Sequence, residues 1–146
     1  HLGPDYGLLP PQVSLWAPIL PPGTIRVTFR DAREDDPPDA LAFHNVDEDG
    51  HPAVEIPVDR ILGGNGGLIL DGSSSLCAVA SHEFCEATVD EFCDEWSDAG
   101  DGTLIAKEVA DPTQAYGYEV PLSDGRKATV SAYVLPAYWN SLSSSV

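Results

Sequence analysis

Apolar and polar positions alternate along Thr24 to Arg30, TIRVTFR, and this two-residue period predicts a strand. Segments 40–46, ALAFHNV, and 53–58, AVEIPV, are rich in apolar residues and flank DEDGHP. They predict a hairpin or close antiparallel pair, with Pro57 favouring a sheet edge. From about Leu76 toward Trp96 the apolar spacing turns helical; Asp71 and Ser73 to Ser75 offer N-caps, and SDAGDG breaks the run. Leu104 to Val109 suits a short helix or strand, and Tyr118 to Leu122 with Ala128 to Leu135 predicts a last strand pair around SDGRK. Residues 1–23 are rich in proline and read as an extended arm docking on a neighbour, residues 24–140 as a single α+β domain, and 141–146 as a frayed tail.

The predicted helix carries the candidate chemistry in SHEFCEATVD, residues 81–90. At about 100° per residue, Ala78, Val79, Cys85, Glu86, Val89, Phe92, Cys93 and Trp96 share a broad sector with His82. Phe84, Thr88, Glu91 and Glu95 project oppositely, with Asp94 toward them and Glu83 on the flank. An inward carboxylate loses several kcal/mol of hydration unless it is paired or bound to a metal. His82 and Glu86, one turn apart, present a nitrogen and an oxygen to one point beside the helix, an N/O pair that zinc accepts. Glu83 stands where an HExxH-type metalloprotease keeps the base that deprotonates metal-bound water.

A straight helix does not supply three successive turns of ligands to a tetrahedral ion, which leaves Asp90 for an outer role and requires a ligand from elsewhere. Glu108 and Asp111 in KEVADP are the downstream candidates, Glu108 slightly preferred. His44 and His51 lie on a strand and in a turn, where a histidine is ordinary, and carry little weight as ligands. The alternative without metal is a satisfied core histidine at His82, with Glu86 bonded to backbone or to a neighbouring cation.

The remaining motifs narrow the field. LGGNGGLILDG lacks the glycine order and lysine of a phosphate loop, and Ser73 to Ser75 lack a nucleophile elbow. Asp47, Glu48 and Asp49 resemble part of a calcium loop without its full spacing, so a solvated turn is expected. With 24 acidic against 7 basic residues, the formal charge of −17 repels nucleic acid and anionic membranes. Cys77, Cys85 and Cys93, spaced by eight, suit neither a disulfide framework nor a zinc motif and read as small buried apolar residues. No apolar run reaches membrane-spanning length, no signal-like segment is present, and the absence of an initial methionine points to a piece of a longer product.

SHEFCEATVD, then KEVADP, then VSAYVLPAYW, in that order, resemble a family of HExxE proteins encoded by tailed bacteriophages and prophages. ALAFHNVDEDGHPAVEIPV resembles that family's upstream strand pair, so the likeness spans about 24–140. The resemblance implies a zincin-like α+β core, a small mostly antiparallel sheet packed on the HExxE helix. It implies His82 and Glu86 as zinc ligands, Glu83 as base and Glu108 or Asp111 completing the site. Ala110 stands where the family often has cysteine. The likeness also implies a virion setting; the proline-rich arm, outside the likeness, suits extended contact with other virion proteins and hence a structural or assembly role. The alternative is an active zinc metallopeptidase with a peptide substrate.

Overall fold

A computed structural model describes residues 2–9, 12–14, 21 and 23–143. The alternation from residue 24 becomes β1 (Arg26–Arg30), and the two segments around DEDGHP become β2 (Phe43–Val46) and β3 (Pro52–Pro57). Their order in one sheet is β1-β3-β2, with β2 antiparallel and β1 parallel to β3. The turn between β2 and β3 is closed by Asp47, whose Oδ1 accepts from the backbone N–H groups of Asp49 and His51 at 3.0 and 2.8 Å. Gly50, at φ 83°, supplies the left-handed residue there.

Pro57 does not mark an edge. Strand β3 is the central strand, and Pro57 is its last residue, where a missing N–H removes little of the ladder. Helix α2 (Val58–Gly64) follows at once.

One face of this sheet packs on α3 (Leu76–Val89), with Ala42, Val54, Ile56, Ile61, Val79 and Ala87 forming the shared core. The other face carries charge: Arg30 bonds Glu55 through Nε at 2.6 Å and Asp36 through Nη1 at 2.9 Å, and all three side chains are mostly buried.

Helix α3 begins as expected, with Ser75 Oγ accepting from the Ala78 N–H at 3.1 Å. It ends at Val89, about two turns before Trp96. The buried Asp90 carboxylate accepts from the N–H groups of Asp94 and Glu95, both at 3.0 Å, and holds the chain in a turn with Cys93 at φ 55°. A local side-chain acceptor thus replaces the next helical turn, which periodicity does not register. Trp96 consequently opens β4 (Trp96–Asp98), which pairs antiparallel with β5 (Leu104–Ala106) across SDAGDG.

After a 3₁₀ turn at Asp111–Thr113 come the antiparallel strands β6 (Gly117–Pro121) and β7 (Lys127–Ser131), then a last helix from Pro136 to Ser143. Strand β7 packs against α3, where its Ser131 N–H donates to Ser81 Oγ at 2.8 Å. The described residues are therefore α+β, with three small sheets among them in place of the single sheet expected.

At the N-terminus, α1 (Leu2–Asp5) is a helical turn rather than extended chain. Tyr6 donates to the Val134 carbonyl at 2.6 Å, and Tyr133 donates to the Asp5 carboxylate at 2.7 Å. The first residues are thus tied to this chain's own C-terminal segment. Residues 1, 10, 11, 15–20 and 22 of the expected arm, and 144–146 of the tail, lie outside the described residues. Among the described residues, no helix is long and apolar enough to cross a membrane. The cysteines are less buried than expected: Cys77 and Cys85 are half-buried and Cys93 is exposed.

Candidate metal centre

Three segments meet beside the second half of α3. The helix contributes His82, Glu83 and Glu86. Strand β2 contributes His44, which shares its face with Ala42 and, across the ladder, pairs with the buried Val54. The segment after β5 contributes Glu108 and Asp111, and its placement follows from the apolar pair between them. Val109 and Ala110 are fully buried; the Val109 carbonyl accepts from the Val134 N–H at 2.8 Å, and the Ala110 N–H donates to Glu86 Oε1 at 3.3 Å. Anchoring that pair leaves the flanking carboxylates at the helix.

The six side chains form two adjoining groups. In the first, His82 Nε2 lies 3.1 Å from Glu86 Oε1 and 3.3 Å from Asp111 Oδ1. In the second, His44 Nδ1 lies 3.6 Å from Glu83 Oε2 and 3.8 Å from Glu86 Oε2, while its Nε2 is 3.6 Å from Glu108 Oε2. Glu86 belongs to both, one oxygen to each. Within His82–Glu86–Asp111, and within His44–Glu83–Glu86, one donor atom from each residue lies within 4.8 Å of the others.

Several sequence expectations change here. His82 and Glu86 do converge, but Asp111 rather than the preferred Glu108 stands beside them; Glu108 reaches His44 instead. Glu83, on the flank as expected, is buried and turned to His44, more enclosed than His82. His44, given little weight, sits at the middle of the cluster. The signal for it was its parity with Ala42 in ALAFHNV, which points it to the same face as a core residue. Asp90 spends both oxygens on the turn after α3, and His51 belongs to the Asp47 turn.

The electrostatics are those of a site short of positive charge. Among the described residues, the lysine and arginine ion pairs are made with Asp36, Asp47, Glu55, Glu95, Glu119 and Asp124, none with these four carboxylates. Burial alone opposes charging His82, but hydrogen bonds to Asp111 and Glu86, with the fields of Glu86 and Glu83, outweigh it and carry the pKa up to about 10. The same contact holds the Asp111 carboxyl below its ordinary value. Burial, followed by repulsion from Glu86, Asp111 and Asp90, pushes Glu108 up to about 7 against the pull of His44. His44 is also raised, its burial outweighed by Glu83, Glu108 and Glu86.

These shifts have a definite sign. His82, raised above about 6.5, contributes stability that is complete below that pH and disappears as pH rises through about 10. Glu108 prefers its proton in the fold, so its ionisation opposes folding increasingly above the ordinary carboxylate range. With a chelator present, urea denaturation should therefore show lower stability at pH 9 than at pH 6. Equal or greater stability at pH 9 would refute this assignment.

The donors suit a metal ion. Imidazole nitrogens with carboxylate oxygens match zinc and other first-row divalent ions. His44 Nε2 and Glu108 Oε2 are both buried without hydrogen-bond partners, an arrangement that costs free energy in the protein alone. Comparison with protein-family models, with curated proteins and with solved structures finds no match.

Proposed function

We propose that this chain is a virion-associated phage protein built around a zincin-like zinc centre, with a structural or assembly role. The observation that carries the metal reading is the convergence of His82 Nε2, Glu86 Oε1 and Asp111 Oδ1 beside a second histidine with an unsatisfied buried nitrogen. The virion setting rests on the resemblance of segments 24–140 to phage-encoded HExxE proteins. His82, Glu86 and Asp111 would hold the ion, which when bound supplies positive charge and Lewis acidity. The Ala110 N–H steadies Glu86, and that contact ties the segment after β5 to α3. A metal here would fasten two segments, α3 and the stretch after β5, that no disulfide joins.

One observation favours the second reading, a zinc-dependent peptidase: the Asp111 side chain is 58% exposed, so the His82 group opens to solvent. Glu83 would serve as the base for water only after leaving His44, which is why the structural reading comes first. Metal analysis of the parent, His82→Ala and Glu83→Gln separates the cases. Zinc lost in His82→Ala and kept at the His82 group in Glu83→Gln is expected. A parent that binds no metal overturns the proposal, and peptide hydrolysis abolished by Glu83→Gln would move the assignment to the peptidase.

A further inference from the structure

We infer that the cluster holds two divalent cations, not one, with Glu86 bridging them. This rests on the metal reading above and extends it to His44, Glu83 and Glu108, which a single ion at His82 leaves unexplained.

Three observations point to a second position. Glu86 directs Oε1 to His82 and Oε2 to His44, the arrangement of a carboxylate shared between two neighbouring ions. His44 is 5% exposed at its side chain and faces carboxylates on both sides, Glu83 and Glu86 at Nδ1 and Glu108 at Nε2, the latter nitrogen without a hydrogen-bond partner. Finally, Glu83, Glu86, Glu108 and Asp111 bring four negative charges together, and no lysine or arginine among the described residues pairs with them. One dication beside neutral histidines offsets half of that charge, whereas two offset all of it.

Each ion then has its own donors. The first takes His82, Asp111 and Glu86 Oε1. The second takes Glu86 Oε2, Glu83 and His44 Nδ1, and Glu108, facing Nε2, holds that imidazole from its other side. Histidine with an excess of carboxylate suits zinc and manganese alike, so manganese can serve as a spectroscopic probe.

The test is titration of the chelator-stripped full chain with zinc by equilibrium dialysis and with Mn(II) by electron paramagnetic resonance. The parent should bind two equivalents of either ion and, when filled with Mn(II), show the exchange-coupled spectrum of a bridged pair. His44→Ala should bind one equivalent with the spectrum of an isolated ion. Glu108→Gln, at a partly exposed carboxylate, should weaken the second equivalent alone and keeps the test decisive if His44→Ala does not fold. One equivalent in the parent overturns the two-ion inference while the metal reading stands, whether or not His44→Ala removes it. No bound ion overturns both.

Discussion

Glu86→Gln is expected to reduce zinc affinity by about 100-fold or more, the largest effect of any single substitution at the cluster. A structural zinc is bound with roughly 10–16 kcal/mol distributed over four ligands, so about 3 kcal/mol accompanies each one. Among the described residues, Glu86 is the one carboxylate paired with both His44 and His82, and it also accepts from the Ala110 N–H. Glutamine keeps the shape and an oxygen acceptor for that N–H, but loses the charge that makes the oxygen a ligand. It removes one of four clustered negative charges but also one of the carboxylates that hold His82 protonated, so near neutral pH the metal-free variant should melt only modestly below the parent. Calorimetric zinc titration combined with melting in chelator reads both effects. Unchanged zinc affinity would exclude Glu86 as a ligand, and a large loss of metal-free stability would show that its role is in packing.

Arg30→Met should destabilise the fold by about 3–5 kcal/mol without altering the metal centre. The guanidinium joins Asp36 and Glu55 on the sheet face away from α3, and Asp36 also accepts from the Arg33 N–H at 2.8 Å. The Arg30 bonds lead among the influences that lower the Asp36 carboxyl to about 2 against its burial. Methionine fills much of the arginine volume but leaves the enclosed Glu55 without its cation and Asp36 with only the more distant Arg60, at 3.8 Å. Asp36 has its folded pKa below its unfolded value, so its contribution is present above about 4 and disappears as pH falls toward about 2. Denaturation at neutral pH should therefore show the full loss, and the difference between parent and variant should shrink on acidification. A change under about 1 kcal/mol would mean that the triad is solvated and weak.

The sequence made some of this architecture legible and concealed the rest for physical reasons. The start of α3 was visible in Ser75 because an N-cap is a local contact between neighbours in sequence. The β2–β3 hairpin was visible because DEDGHP supplies a turn between two apolar segments. The parallel pairing of β1 with β3 was not visible, since it joins strands far apart in sequence and leaves no pattern in either. The end of α3 was misplaced because the Asp90 carboxylate reads in sequence as one more acidic residue on a helix.

The candidate site divides in the same manner. His82 and Glu86 could be joined by helical spacing alone. His44 could be joined to them only by knowing that β2 lies under α3, although its parity with Ala42 marked the face. Glu108 and Asp111 were found as a pair. Their order was reversed because the choice depends on how Val109 and Ala110 are buried, not on distance along the chain.

X-ray absorption at the zinc edge of the zinc-loaded chain tests the ligand set directly. The structure predicts a first shell of nitrogen and oxygen at about 2.0–2.2 Å with outer scattering from imidazole and no sulfur. A sulfur shell at about 2.3 Å would place the ion on cysteine rather than on His82, Glu86 and Asp111, and would contradict the account.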